Sequence, residues 1–184
     1  MTDAGLTPDP IRLLTSLRAV REYDDRPIPA DVLADILTVA RWSGSAMNRQ
    51  PWDFVVVRDP EVIARLVSLD GSTAFAADAT LVIVIVLANE AKLRESYDEG
   101  RVTERMMLAA HAHGVGANTA WFSPTGATVV KETLAIPAER WVRSMVAFGY
   151  PAPESVSRPP KPDSRKPLAE IVHEGRFGKH GSAG

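Results

Sequence analysis

Apolar positions along the chain recur with two alternating spacings, and that alternation predicts a mixed domain of helices and strands. After Asp9-Pro10, the residues Ile11, Leu13, Leu14 and Leu17 predict a short helix ending near Arg18-Ala19-Val20-Arg21. The next helix opens at Pro29-Ala30-Asp31, where a carboxylate suits the positive helix end, and carries Leu33, Ile36, Leu37 and Ala40 at i, i+3, i+4 and i+7. Phe54 to Val57 reads as a strand and Pro60 to Leu69 as a helix. Leu81 to Leu87 is continuously β-branched or leucine, which predicts a central strand buried on both faces. A long helix is expected from about Tyr97 to His113, a strand near Asn118 to Phe122, a helix near Ala127 to Leu134 and a strand from Val142 to Phe148. The expected class is α+β.

The C-terminal stretch differs in kind. Pro151 to Pro167 holds six prolines with Arg158, Lys161, Arg165 and Lys166, so it predicts an extended arm that cannot join a central strand. Ile171-Val172 supplies an apolar anchor for laying that arm on another surface. The expected organisation is a tail over 1–10, a domain over 11–150 and the arm over 151–184.

Composition narrows the function classes. The 184 residues are 45% hydrophobic and 24% charged, as in a folded globular domain. A formal net charge of −2, without a basic stripe, argues against nucleic acid as a partner. With no cysteine there is no disulfide framework, thiolate nucleophile or thiolate metal site. The longest apolar run, Leu81 to Ala88, is far too short to span a membrane, and MTDAGLTPDP lacks the basic and apolar regions of a signal peptide. A cytoplasmic protein is expected.

Three candidate motifs fail on their context. Gly114-Val115-Gly116-Ala117-Asn118-Thr119 follows a predicted helix and leads into a strand, whereas a dinucleotide fingerprint needs strand, glycines, then helix; Gly114 reads better as a helix C-terminal glycine. His111 and His113 lie two apart on a helix, about 200° around its axis, so they cannot share a metal, and no metal site is expected. Ser45 and Ser123 lack a G-x-S-x-G elbow, which leaves a hydrolase no foothold. The stretch Ser43-Gly44-Ser45-Ala46-Met47-Asn48-Arg49-Gln50-Pro51-Trp52 is harder to dismiss, because it holds more hydrogen-bonding groups than a chain reversal needs. That surplus suggests a ligand.

Four segments in order, Arg18-Ala19-Val20-Arg21-Glu22-Tyr23, the Ser43 to Trp52 loop, Gly149-Tyr150-Pro151 and Arg165-Lys166-Pro167-Leu168, resemble the nitroreductase family of FMN-dependent oxidoreductases. The similarity runs from about Ile11 to Phe177, and the N-x-Q-P-W loop is its most specific part. It implies a sandwich with a mostly antiparallel sheet flanked by helices, assembled as a homodimer with FMN at the interface. It also implies cofactor-binding roles for Arg18, Ala19, Arg21, Ser45, Ala46, Met47, Asn48, Gln50, Ser123 and Arg165. Arg18 and Arg165 would meet the phosphate, where a guanidinium fork matches the oxygens. Arg21 would lie near the N1/O2 edge of the isoalloxazine, and the backbone N–H groups around Ser123 near N5. The Ser45 to Asn48 stretch would reach FMN held mainly by the other subunit.

By the same resemblance, hydride passes from NADH or NADPH through FMN to a small organic acceptor such as a nitroaromatic or quinone, in ping-pong fashion. No side chain acts as acid or base, because the cofactor carries the chemistry. Other flavin chemistries on this fold (a dehalogenase, a flavin destructase, an azoline or deazaflavin reductase) and a non-catalytic flavin-binding protein stay open. The chain departs from the family pattern at Leu17, Ala19, Pro124 and Asp163. Arg21 also has a plainer reading as a surface charge paired with Glu22 or Asp24. Trp42, Trp52, Trp121 and Phe122 are expected in the core, since large aromatics dominate core packing.

Overall fold

The computed structural model describes residues 9–69, 72–156 and 165–179. Its elements are α1 (Pro10–Ser16), α2 (Ala30–Arg41), β1 (Trp52–Val57), α3 (Pro60–Val67), β2 (Leu81–Leu87), α4 (Lys92–Ala112), β3 (Gly116–Trp121), α5 (Pro124–Thr133), β4 (Trp141–Gly149), α6 (Pro153–Val156) and α7 (Leu168–Ile171). Three helices start in the same way, with an acceptor side chain followed by proline. Asp9 accepts from Ile11 N, Asp59 from Glu61 N and Val62 N, and Ser123 from Gly126 N, while the proline fills a position whose N–H has no intrahelical partner.

The strands form one antiparallel sheet in the order β1-β2-β4-β3. β2 is interior, and all seven of its residues are buried. Its side chains alternate between two cores, as strand geometry requires. Val82, Val84 and Val86 face a cluster that includes Ile63, Leu66, Val130 and Tyr23. Leu81, Ile83, Ile85 and Leu87 face Ile36, Val102, Met106 and Ala110 of α2 and α4. The sheet therefore separates an α3/α5 side from an α2/α4 side. Truncating a fully buried residue such as Ile85 to alanine is expected to cost about 2–5 kcal/mol.

Two helix starts depart most from expectation, for a physical reason. α4 begins at Lys92 rather than near Tyr97, because its first turns are anchored by carboxylates and not by apolar residues. The buried Glu95 carboxylate accepts from Asn89 N, Glu90 N and Ala91 N at 2.8, 2.7 and 2.8 Å, closing the turn that enters the helix. α5 begins at Pro124 rather than Ala127, through the Ser123-Pro124 start. Gly114 ends α4 as anticipated: at φ +71°, it donates to His111 O at 3.0 Å while Val115 N–H reaches Ala110 O at 2.9 Å. Of the arm, Pro153–Val156 and Leu168–Ile171 are single helical turns, and Lys161 and Asp163 fall outside the described residues.

Candidate functional site

The segment carrying Arg18, Ala19 and Arg21 lies along the outer edge of β3. Ala19 bridges Ala117, and Val20 N–H donates to Ala117 O at 3.0 Å. This approach needs two glycines. A Cβ on Gly116 would stand 2.7 Å from Val20 Cβ, and one on Gly149 would stand 2.8 Å from Tyr23 Cβ. Tyr23 pins the segment from beneath, donating from its hydroxyl to Val20 O at 2.6 Å and Ala147 O at 3.3 Å. Burial drives the Tyr23 pKa well above the ordinary tyrosine range, with Arg21 working weakly the other way, so the phenol stays a neutral donor. Arg18 is exposed, and its Nη1 donates to Thr15 O and Leu17 O at 2.8 and 2.7 Å. The Arg21 guanidinium lies 6.0 Å from the Phe75 ring on the α3/α5 side, while Asp24 is held by Arg26 at 2.7 Å.

The start of α5 belongs to the same side. Ser72 Oγ donates to Trp121 O at 2.7 Å, tying the turn before Phe75 to the end of β3. Ser123 uses its side chain as the helix cap, accepting from Gly126 N at 3.0 Å, and its carbonyl takes Ala127 N–H at 2.8 Å. Pro124 has no N–H. Thr125 N–H is thus left as the unpaired first-turn donor among the described residues, at the positive end of the helix. Sequence reasoning reached Ser123 but missed Thr125, Ser72 and Phe75; the Ser-Pro start was the available signal for Thr125.

The Ser45 to Trp52 loop lies across the sheet, against α4. Ala46 N–H donates to Asp98 Oδ2 at 3.1 Å, Arg105 Nη1 to Trp42 O at 3.1 Å, and Arg101 packs over Gly44. Ser45 Oγ accepts from Gln50 N at 2.8 Å, so this hydroxyl shapes the loop. Met47, Asn48 and Gln50 all take positive φ, at 53°, 53° and 50°, a conformation that costs free energy in non-glycine residues and clusters at functional sites. Met47 and Asn48 are exposed. Within one chain Arg18, Ala19 and Arg21 thus follow the edge of β3, Ser123 caps α5 beyond the far end of that strand, and Ser45, Ala46, Met47, Asn48 and Gln50 belong to the loop against α4. Arg165 is exposed on the arm.

The expectation for the aromatic residues holds in part. Trp52 and Phe122 are core, at 9% and 8% exposure, but Trp42 and Trp121 are 71% and 48% exposed, so the core assignment is corrected for those two. His111 bonds Ser16 and His113 pairs with Asp35 on the surface, and no cluster of metal-ligating side chains occurs among the described residues. No described helix is long and apolar enough to cross a membrane.

The sequence profile described as the nitroreductase family matches residues 14–97. An Archaeoglobus fulgidus protein provisionally named NADH dehydrogenase/NAD(P)H nitroreductase is 31% identical over 155 residues, covering 78% of this chain and 86% of that one. The chain belongs to the nitroreductase family. An FMN-dependent nitroreductase from Clostridium difficile superposes with a TM-score of 0.82 at 24% identity, covering 91% of this chain and 99% of its own. A provisionally named nitroreductase from Desulfovibrio desulfuricans, solved in complex with FMN, gives 0.79 at 28% identity, over 93% and 99% of the two chains. As a nitroreductase of this α+β fold, the protein is an oxidoreductase enzyme of the NAD(P)H nitroreductase type.

Proposed function

We propose that two copies of this nitroreductase hold FMN between them and pass hydride from NADH or NADPH to a small organic acceptor such as a nitroaromatic or quinone. The observation that carries the proposal is the separation of the site into two halves. The exposed Arg21 and the unpaired Thr125 N–H lie on the α3/α5 side, with Arg18 at the edge of β3, while the strained Met47-Asn48 turn lies across the sheet against α4. A second copy that brought its strained turn to these groups would complete the site. Exposed Trp42, Met47, Leu93 and Tyr97 flank the loop, an apolar surface suited to burial against that copy. The exposed arm, with Arg165, Leu168, Ile171 and Val172, gives a second such surface and another cation.

The residues suit FMN in charge and in hydrogen-bonding chemistry. Arg18 has Nε and Nη2 left for a phosphate after Nη1 serves the end of α1. Arg21 supplies a positive charge where a reduced flavin carries negative charge, and Thr125 N–H supplies a donor that needs no reorganisation. Bound FMN would supply reversible hydride acceptance. The chain's part is to position, to tune and to exclude water, with no proton held by a side chain at the reacting atoms. A visible spectrum of the purified protein, before and after anaerobic NADPH, tests the reading: flavin bands should appear and then bleach, and the released cofactor should chromatograph as FMN. A colourless protein, or FAD on release, would overturn it.

A further inference from the structure

Beside the start of α5, a cleft of about 530 Å³ opens between the ends of β3 and β4 and the first turn of α4. Its volume lies in the range of small-molecule sites. The charged groups on its wall are Lys92, Lys131 and Arg143, with no carboxylate among them. Two other cavities are charged differently. The one under the Ser45 to Trp52 loop sets Arg49, Arg94 and Arg140 against four carboxylates, and the one beside Tyr23 sets a single Arg58 against Asp24, Asp25 and Asp78.

Two tryptophans share the wall with the cations. Arg143 lies between them, its guanidinium 4.5 Å from the Trp121 ring and 5.2 Å from the Trp141 ring, and Lys92 Nζ lies 5.5 Å from Trp141. Arg143 is fixed from behind, with Nη1 donating to Ser96 Oγ at 2.8 Å and Nε 3.0 Å from Glu99 Oε2. Glu99 faces that one cation from inside the core. Lys92 has no carboxylate partner among the described residues, and Lys131 donates to a neutral carbonyl, Ala138 O, at 2.9 Å. Aromatic surface left 48% exposed at Trp121, beside uncompensated cations, is costly to leave wet and well matched to a flat anion.

We infer that this cleft binds an aromatic ligand bearing a carboxylate, sulfonate or phosphate, with the anion between Lys92 and Lys131 and the ring against Trp121. Service of that ligand as the electron acceptor rests on the flavin reading above; its binding does not. The test is a fluorescence titration of the purified full-length protein, reading the tryptophans themselves. The redox-inactive probes are 4-hydroxybenzoate, its uncharged isostere 4-hydroxybenzamide, and adenosine 2′-monophosphate.

The benzoate should bind about tenfold more tightly than the amide, and the preference should fall to near unity in Lys92→Gln/Lys131→Gln, where both altered side chains are outside the core. If adenosine 2′-monophosphate shows the stronger dependence on the two lysines, the anion belongs to the reductant's nucleotide; if the benzoate does, it belongs to the acceptor. Equal binding of acid and amide, or a preference that survives the double substitution, would overturn the inference. A colourless preparation that keeps the preference would leave the cleft intact and remove only the flavin reading.

Discussion

Replacing Gly116 by alanine tests how the arginine-bearing segment is held against β3. Gly116 has no unusual φ, so alanine adds no backbone strain, and the whole effect comes from one methyl group. That methyl would sit 2.7 Å from Val20 Cβ and 2.8 Å from both Val20 methyls, closer than carbon atoms pack. Val20 Cβ is fixed to the backbone and cannot swing aside, so the 18–21 segment must shift outward and strain the Val20 N–H to Ala117 O bond. Overpacking of this kind costs about 1–3 kcal/mol. Urea denaturation should show that loss, and FMN titration of the same variant should show weakened binding, because Arg18 and Arg21 move with the segment. Val20→Gly removes all three close atoms. It will destabilise by itself, yet the double variant should be less destabilised than the sum of the two singles by at least about 1 kcal/mol. Simple additivity in that cycle would refute the proposed contact.

Ser123→Ala removes the α5 cap and should cost about 1 kcal/mol, seen as a fall in Tm of about 2–4 °C; an unchanged Tm would mean that Gly126 N–H finds another acceptor. Arg18→Ala should weaken FMN binding by about 2–3 kcal/mol, read as a roughly 30- to 150-fold rise in Kd, with protein stability nearly unchanged. Burial raises the Glu99 pKa above the ordinary carboxyl value, against the opposing effects of Ser144 and Arg143. The fold thus favours the protonated form, so Glu99's contribution to stability is full below the ordinary value and is lost as pH rises through the raised one. The Tm of the native sequence should therefore gain on that of Glu99→Gln as pH falls toward the ordinary carboxyl value, and a gap independent of pH would refute the raised titration.

Much of the fold could be read from the sequence because its main signal is burial. The uninterrupted Leu81 to Leu87 run could only be a strand covered on both faces, and Gly114 after a long helix could only end it. Polar anchoring was invisible to that logic. The first turns of α4 bury Glu95, Asp98 and Glu99, which a hydrophobic pattern scores as surface. The division of the candidate site was equally hidden, since which face of the sheet a loop lands on depends on the path of the whole chain. Resemblance named the residues around Ser123, whereas Thr125 stands out through the helix start itself, where Ser123 caps Gly126 N–H and Pro124 has no N–H. Exposure of Trp121 follows from its place at the end of an edge strand, a position that local sequence does not encode.

The division of the candidate site by the sheet also has a genetic meaning. If each centre takes its arginines from one copy and its strained turn from the other, a lesion in either half spoils every centre in a uniform population. Cells carrying one allele of each kind would assemble mixed pairs in which one centre combines both lesions and the other combines none. Random pairing would then restore roughly a quarter of full activity from two alleles that are each silent alone. For such a protein, inheritance would follow the interface rather than the gene: two defects on different copies would be milder than the same two defects spread identically over both.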